Sequence, residues 1–261
     1  MHDKAIHPAT GLAAQLRHPA SRLVAMVNYG PERAELPLLW RLCLSLVELG
    51  YPVTVLDAGT RESPDNPGLE QILEFPFTQK YGLQDDSAWR VIPSASGLKG
   101  LVSAGKSLLD IENLLVNLCP DDGVVIAYAN ADTLVPLLQA SKIHPILVAS
   151  STPDSLLASY LALKRMLSVK GLDPLVIDPS AGPGAQRASP VRTLVDCTKN
   201  HLHYDLKVVH LRCGPDEAPP ASELQRLALR ILESAHPLSG RWPALTHNGT
   251  KMGTGQIYRS H

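Results

Sequence analysis

The stretch that decides the fold runs from Leu23-Val24-Ala25-Met26-Val27, through a loop from Asn28 to Glu35, to Val53-Thr54-Val55-Leu56-Asp57. Between loop and second run lies Leu36–Leu49, closed by Gly50. It carries Leu38, Leu39, Leu42, Leu46 and Leu49 at helical spacing, with Trp40 and Cys43 widening the apolar surface. Such a helix is buried on most sides, and Pro37 suits its first turn, where a missing N–H costs nothing. Strand, loop, helix and strand make the first βαβ unit of a parallel sheet, and nucleotide-binding folds hold phosphate in the loop after that first strand. This loop, Asn28-Tyr29-Gly30-Pro31-Glu32-Arg33-Ala34-Glu35, lacks the glycines whose backbone must approach a phosphate.

Outward from that unit, strands and helices alternate. Strands are expected at Trp89–Ile92, Val124–Tyr128, His144–Ala149, Leu175–Asp178 and Leu206–Leu211. Helices are expected at Gly68–Leu73, Leu108–Leu115, from about Thr133 to Ala140, from Pro153 to Gly171, at Val191–Leu202 and at Ala221–Ala235. The alternation predicts a doubly wound α/β domain, a mostly parallel sheet with helices on both faces, over residues 21–236. For 261 residues one such domain is the simplest organisation, two small domains being the alternative.

Residues 1–20 read as a flexible arm with one short helical patch between Pro8 and Pro19, in which Leu12 and Leu16 share a face. Seven residues are too few for a stable isolated helix, so the patch docks on this domain or on a partner, or it frays. Residues 237–261, rich in glycine and without apolar periodicity, read as a flexible or loosely docked tail.

Net charge is −1 and the isoelectric point near 6.8, so no global field recruits nucleic acid or acidic lipid. No signal peptide and no bilayer-spanning stretch is read, and four well-separated cysteines with no Cys-x-x-Cys pair fit a reducing cytoplasm. His201, His203 and His210 lie around one strand without an acidic or cysteine companion, so no metal site is assigned to them. Ser94, Ser96, Ser150 and Ser151 have no motif-spaced histidine or acid for a hydrolase triad.

The order of elements resembles the MinD/ParA group of P-loop ATPases, and within it the flagellar-number regulators of the FlhG/FleN type, over Leu23 to Ala235. The family's strand, G-K-G-G-V-G-K-T loop, helix, glycine and second strand fall on Tyr29–Leu36, Gly50 and Asp57–Gly59 without a gap. Arg90-Val91-Ile92-Pro93-Ser94-Ala95-Ser96-Gly97-Leu98 is similar to a stretch of FlhG-like proteins. So is Ile146–Leu167, with Ser151-Thr152-Pro153-Asp154-Ser155-Leu156 and Tyr160-Leu161-Ala162-Leu163-Lys164, the most specific match in the chain. The resemblance implies a MinD-like P-loop NTPase fold.

The family's chemistry does not transfer with it. Its phosphate-binding Lys falls on Glu35, its Mg²⁺-binding Thr on Leu36 and its dimer-reaching Lys on Gly30. Its second-strand acids fall on Asp57 and Gly59, and its Walker-B-like Asp on Ala127. At an effective dielectric of about 20, a charge pair at about 4 Å is worth ~4 kcal/mol, and replacing Lys by Glu turns that attraction into repulsion. Phosphoryl transfer depends almost wholly on positioning and electrostatics. The resemblance therefore implies a pseudo-ATPase with no ATP cofactor, leaving Asn28, Gly30, Arg33, Glu35, Leu36 and Asp57 as the positions of a degenerate phosphate loop.

FlhG-like proteins also carry an N-terminal D-Q-A-x-x-L-R helix that activates a partner GTPase. Ala13, Leu16 and Arg17 match it, while Gly11 and Leu12 replace the Asp and Gln. The resemblance implies a protein partner met through Leu12, Ala13, Leu16 and Arg17, without the activating Gln. The tail shows no amphipathic membrane helix.

Two other readings stay open. An enzyme or ligand binder would reuse the crevice lined by Asn28–Glu35, Gly59–Pro67 and Ala129–Thr133, with Asp57, Arg33 and Asp132 as its polar groups. A non-hydrolysing nucleotide switch would need Arg33 as the phosphate cation.

Overall fold

The apolar run at the start of the deciding stretch is strand β1 (Arg22–Val27). The periodic segment is helix α1 (Leu36–Glu48), which returns to strand β2 (Val53–Asp57). Gly50 makes that return with φ at 90°, a left-handed conformation open to glycine. This is a computed structural model, and it describes residues 20–29, 35–75, 89–119, 122–139, 141–149, 153–169, 172–179, 190–211 and 219–238. The N-terminal patch with Leu12, Ala13, Leu16 and Arg17, and the loop positions Gly30 and Arg33, lie outside the described residues.

After β2 come α2 (Leu69–Glu74), β3 (Trp89–Pro93) and α3 (Ala95–Ser103). A 3-10 turn at Leu108–Ile111 leads into α4 (Glu112–Asn117). Then follow β4 (Val124–Ala129), α5 (Ala131–Leu137), β5 (Ile146–Val148), α6 (Pro153–Leu167) and β6 (Leu175–Asp178). The described part ends with α7 (Pro190–Leu202), β7 (Lys207–His210), α8 (Ala221–Ser234) and β8 (His236–Pro237).

The strands form one sheet in the order β3-β2-β4-β1-β5-β6-β7, parallel throughout. The antiparallel β8 adds to the start of β1, with Leu23 opposite His236. Period-two alternation sends Val24, Met26, Val124, Ile126 and Tyr128 to one face, packed against α1 and α8. Leu23, Ala25, Val27, Val125 and Ala127 go to the other, covered by α2 through α7. The doubly wound expectation therefore holds, with both faces buried as a parallel sheet requires.

Two elements escape the periodicity. Ala95–Ser103, just past the strand expected at Trp89–Ile92, is a helix with no place in the sequence reading, because Gly97 and Gly100 weaken the helical signal and the helix start is held from far away in the chain. His236–Pro237 pairs with β1, and the Leu238 N–H donates to the Ser21 carbonyl at 2.7 Å, with Leu238 buried in the core. The sheet thus takes in the first residues of the segment 237–261 read as tail. The Leu108–Leu115 helix is split between the 3-10 turn and α4. Helix α5 starts earlier than its apolar pattern, because Asn130 Oδ1 accepts the Thr133 N–H at 2.9 Å.

Burial pushes the Cys43 thiol up to about 12 and the Cys119 thiol up to about 11, so neither forms a thiolate near neutral pH. Cys197 is half-buried and free. Alkylation mapped by mass spectrometry at pH 7 is expected to label Cys197 well before Cys43 or Cys119. Equal labelling of Cys43 would contradict the packing.

Candidate functional site

The carboxyl ends of parallel strands are where an open α/β sheet places its ligands. At the end of β1, Asn28 continues the ladder, its N–H donating to the Ala129 carbonyl at 2.9 Å. At the far side of the loop, Glu35 stands just before α1, and its carbonyl accepts the N–H groups of Leu38 and Leu39. The Glu35 side chain is 1% exposed.

Alternation along β4 puts Tyr128 on the α1 face one residue from the strand's end, so its hydroxyl reaches the N-terminus of that helix. It donates to Glu35 Oε1 at 2.5 Å, and the Tyr29 N–H donates to the same oxygen at 3.3 Å. Among the described residues Oε2 is buried without a hydrogen-bond partner. The Tyr29 N–H, first of the loop's backbone donors, thus points at a carboxylate supplied by the chain itself. Charge-assisted hydrogen bonds of this kind are about twice as strong as neutral ones.

Tyr29 opens the loop after β1. Its phenol is pushed far up by burial, with Ser159 of α6 opposing and the Glu35 charge reinforcing the shift. Leu36 starts α1 and packs partly buried on the α1 side of the core. Ala127 is fully buried on the opposite face.

Asp57 is 5% exposed and turned into its own loop: Oδ1 accepts the Gly59 N–H at 2.8 Å and Oδ2 the Thr60 hydroxyl at 2.6 Å. This is a strand-end acid shaping the turn after β2. Glu62, five residues on, is 6% exposed and accepts the Ser96 and Gly97 N–H groups at 2.7 and 2.8 Å. Its carboxylate caps α3 from the neighbouring loop. Glu62→Ala strands two donors, that of Gly97 buried and that of Ser96 partly so, and is expected to cost about 2 kcal/mol, while Glu62→Gln keeps an acceptor and costs less. Urea unfolding of the two variants measures both. Equal midpoints for Ala and wild type would remove this cap.

Asp132 lies on the exposed surface of α5, with Oδ1 at 3.3 Å from Arg165 Nε of α6. Together with Asn28, Tyr29 and Lys164 these residues line a cleft of about 560 Å³. Asp57 does not line it, so the structure does not bring Asp57 and Asp132 into one site. Among the described residues, no three His, Cys, Asp or Glu side chains converge as a metal set. His210 instead sets Nδ1 3.1 Å from Oδ2 of the buried Asp178. No described helix is long and apolar enough to cross a membrane.

Tyr128, Ser159 and Glu62 are the residues that sequence reasoning missed. Strand alternation carried a signal for Tyr128, since it fixed the face and the distance from the strand end. No local pattern announces Glu62, whose partners lie more than thirty residues away.

The sheet order and the parallel ladder define a doubly wound α/β domain. Among solved structures it is similar to MinD of Aquifex aeolicus. The match to the MinC:MinD cell division protein complex from that organism has 13% identity and a TM-score of 0.54, covering 84% of this chain and 98% of that one. The match to the Aquifex aeolicus MinD cell division protein has 12% identity and a TM-score of 0.51, covering 84% and 99%. No protein-family model and no curated protein matches the sequence. At this identity the likeness establishes a MinD-like fold.

Proposed function

We propose that this chain is a non-catalytic MinD-like regulator or scaffold, a pseudo-ATPase that acts through protein–protein contacts. The observation that carries this reading is the Glu35 carboxylate, buried at the phosphate-loop position and held by Tyr128 and the Tyr29 N–H. A polyphosphate entering there meets a buried acid in place of a lysine. Asp57 and Glu62, acids on the neighbouring loop, are already engaged, Asp57 with the Gly59 N–H and Glu62 with the first N–H groups of α3.

The FlhG-like segments at Arg90–Leu98 and Ile146–Leu167 support a role in flagellar or polar surface-machine assembly. MinD, of similar fold, has been solved in complex with MinC, which fits a protein partner here. In this reading the patch with Leu12, Ala13, Leu16 and Arg17 contributes to docking. The test is capture from a lysate of the source cells with the full chain and with a variant lacking residues 1–20, each with and without ATP–Mg²⁺. The expected result is a partner held equally well with and without nucleotide and lost on truncation. Capture that requires ATP overturns the reading.

A further inference from the structure

We propose that the cleft between the carboxyl ends of β1 and β4 and the outer side of α6 binds a small organic carboxylate with an apolar body. Its volume, about 560 Å³, falls within the ordinary range for small-molecule sites. At its inner end stands Asn28, 8% exposed, which offers a carboxamide to the cleft lining. A carboxamide carries both a donor and an acceptor for a polar group on a ligand. Asn130 stands beside it, with Oδ1 committed to Thr133 and its amide donors uncommitted among the described residues.

The outer rim is cationic. Lys164 has no ion-pair partner among the described residues, and Arg165 is shared only with Asp132, both of them well exposed. Such a surface pair is weak, so a ligand carboxylate can replace Asp132 on the guanidinium while Lys164 adds a second cation. The wall between these ends is apolar: Tyr29, Ala162 and Leu161, the last left 55% exposed. A donor–acceptor end, an apolar wall and a cationic rim fit a molecule with a carboxylate, an apolar body and an amide or hydroxyl. They fit a bare phosphate poorly, since the apolar wall gives it nothing.

Titration followed by ¹H–¹⁵N spectra of the full chain tests this with four probes: N-acetyl-leucine, hexanoate, N-acetyl-leucine amide and inorganic phosphate. N-acetyl-leucine is expected to give saturable shifts at Asn28, Asp132 and Arg165, with hexanoate weaker and the uncharged amide and phosphate without effect. The exposed double variant Lys164→Ala/Arg165→Ala is expected to bind N-acetyl-leucine about tenfold more weakly, and Asp132→Asn to bind it several-fold more tightly. Circular dichroism checks that both variants fold. Equal binding of the amide, equal or tighter binding of phosphate, no saturable shift, or affinity unchanged in the double variant would each overturn the proposal.

Discussion

Glu35→Lys is expected to lower the unfolding free energy by about 3 kcal/mol and to give no ATP turnover, although it puts a lysine where the resemblance to MinD/ParA ATPases aligns one. The Glu35 side chain is 1% exposed and receives the Tyr128 hydroxyl and the Tyr29 N–H. The hydroxyl can rotate to present a lone pair to an ammonium, but the N–H cannot. A lysine therefore buries a positive charge against a fixed donor, with desolvation worth several kcal/mol to offset. Glu35→Ala, which only strands the two donors, should cost about 1–3 kcal/mol. Glu35→Gln keeps an acceptor and should fall within about 1 kcal/mol of wild type. Denaturant unfolding orders the series. A lysine variant as stable as wild type would mean that the Glu35 carboxylate is not held as described.

The second large effect is expected at Gly68, ahead of α2. A Cβ built there would lie 2.0 Å from the Pro93 carbonyl oxygen and 2.8 Å from Glu62 Cγ. The first of these is backbone at the end of β3 and cannot step aside as a side-chain tip would. Gly68→Ala must therefore shift the β3 end or the α2 start and pull Glu62 from the α3 N–H groups it caps, for about 3 kcal/mol. The control is Gly100→Ala in α3, where nothing lies within 4 Å of the added carbon. That change should stabilise by about 0.5–1 kcal/mol through helix propensity and unfolded-state entropy. Thermal unfolding of the pair separates steric contact from a general intolerance of change in these loops. Similar losses in both would remove the distinction.

Much of the fold was legible in the sequence because it rests on local periodicity. Leu38, Leu39, Leu42 and Leu46 announce α1 and all are buried, and Val53–Asp57 and Leu175–Asp178 are strands over the ranges their apolar runs define. What escaped depends on contacts between distant residues. The cap of α3 by Glu62 spans more than thirty positions, and β8 is two residues long, too short for a pattern. At the site, the resemblance places Glu35 and Leu36 at the start of α1, which begins at Leu36. Where the Glu35 carboxylate goes was not legible: its main partner, Tyr128, is 93 positions away and is set by the sheet register.

The separation of Asp57 from Asp132 has the same origin. Both sit at strand or helix ends that a linear reading places around one crevice. The turn after β2 folds Asp57 onto Gly59 and Thr60, while the start of α5 sends Asp132 outward to Arg165. Proximity to the carboxyl edge is fixed by topology. The direction of a side chain there is fixed by its nearest donors.

The central claim, that the chain's own Glu35 carboxylate takes the place of a phosphate-binding lysine, is tested most directly by isothermal titration of the full chain with ATP–Mg²⁺. No saturable heat is expected for wild type. Saturable binding, with or without hydrolysis, would contradict it.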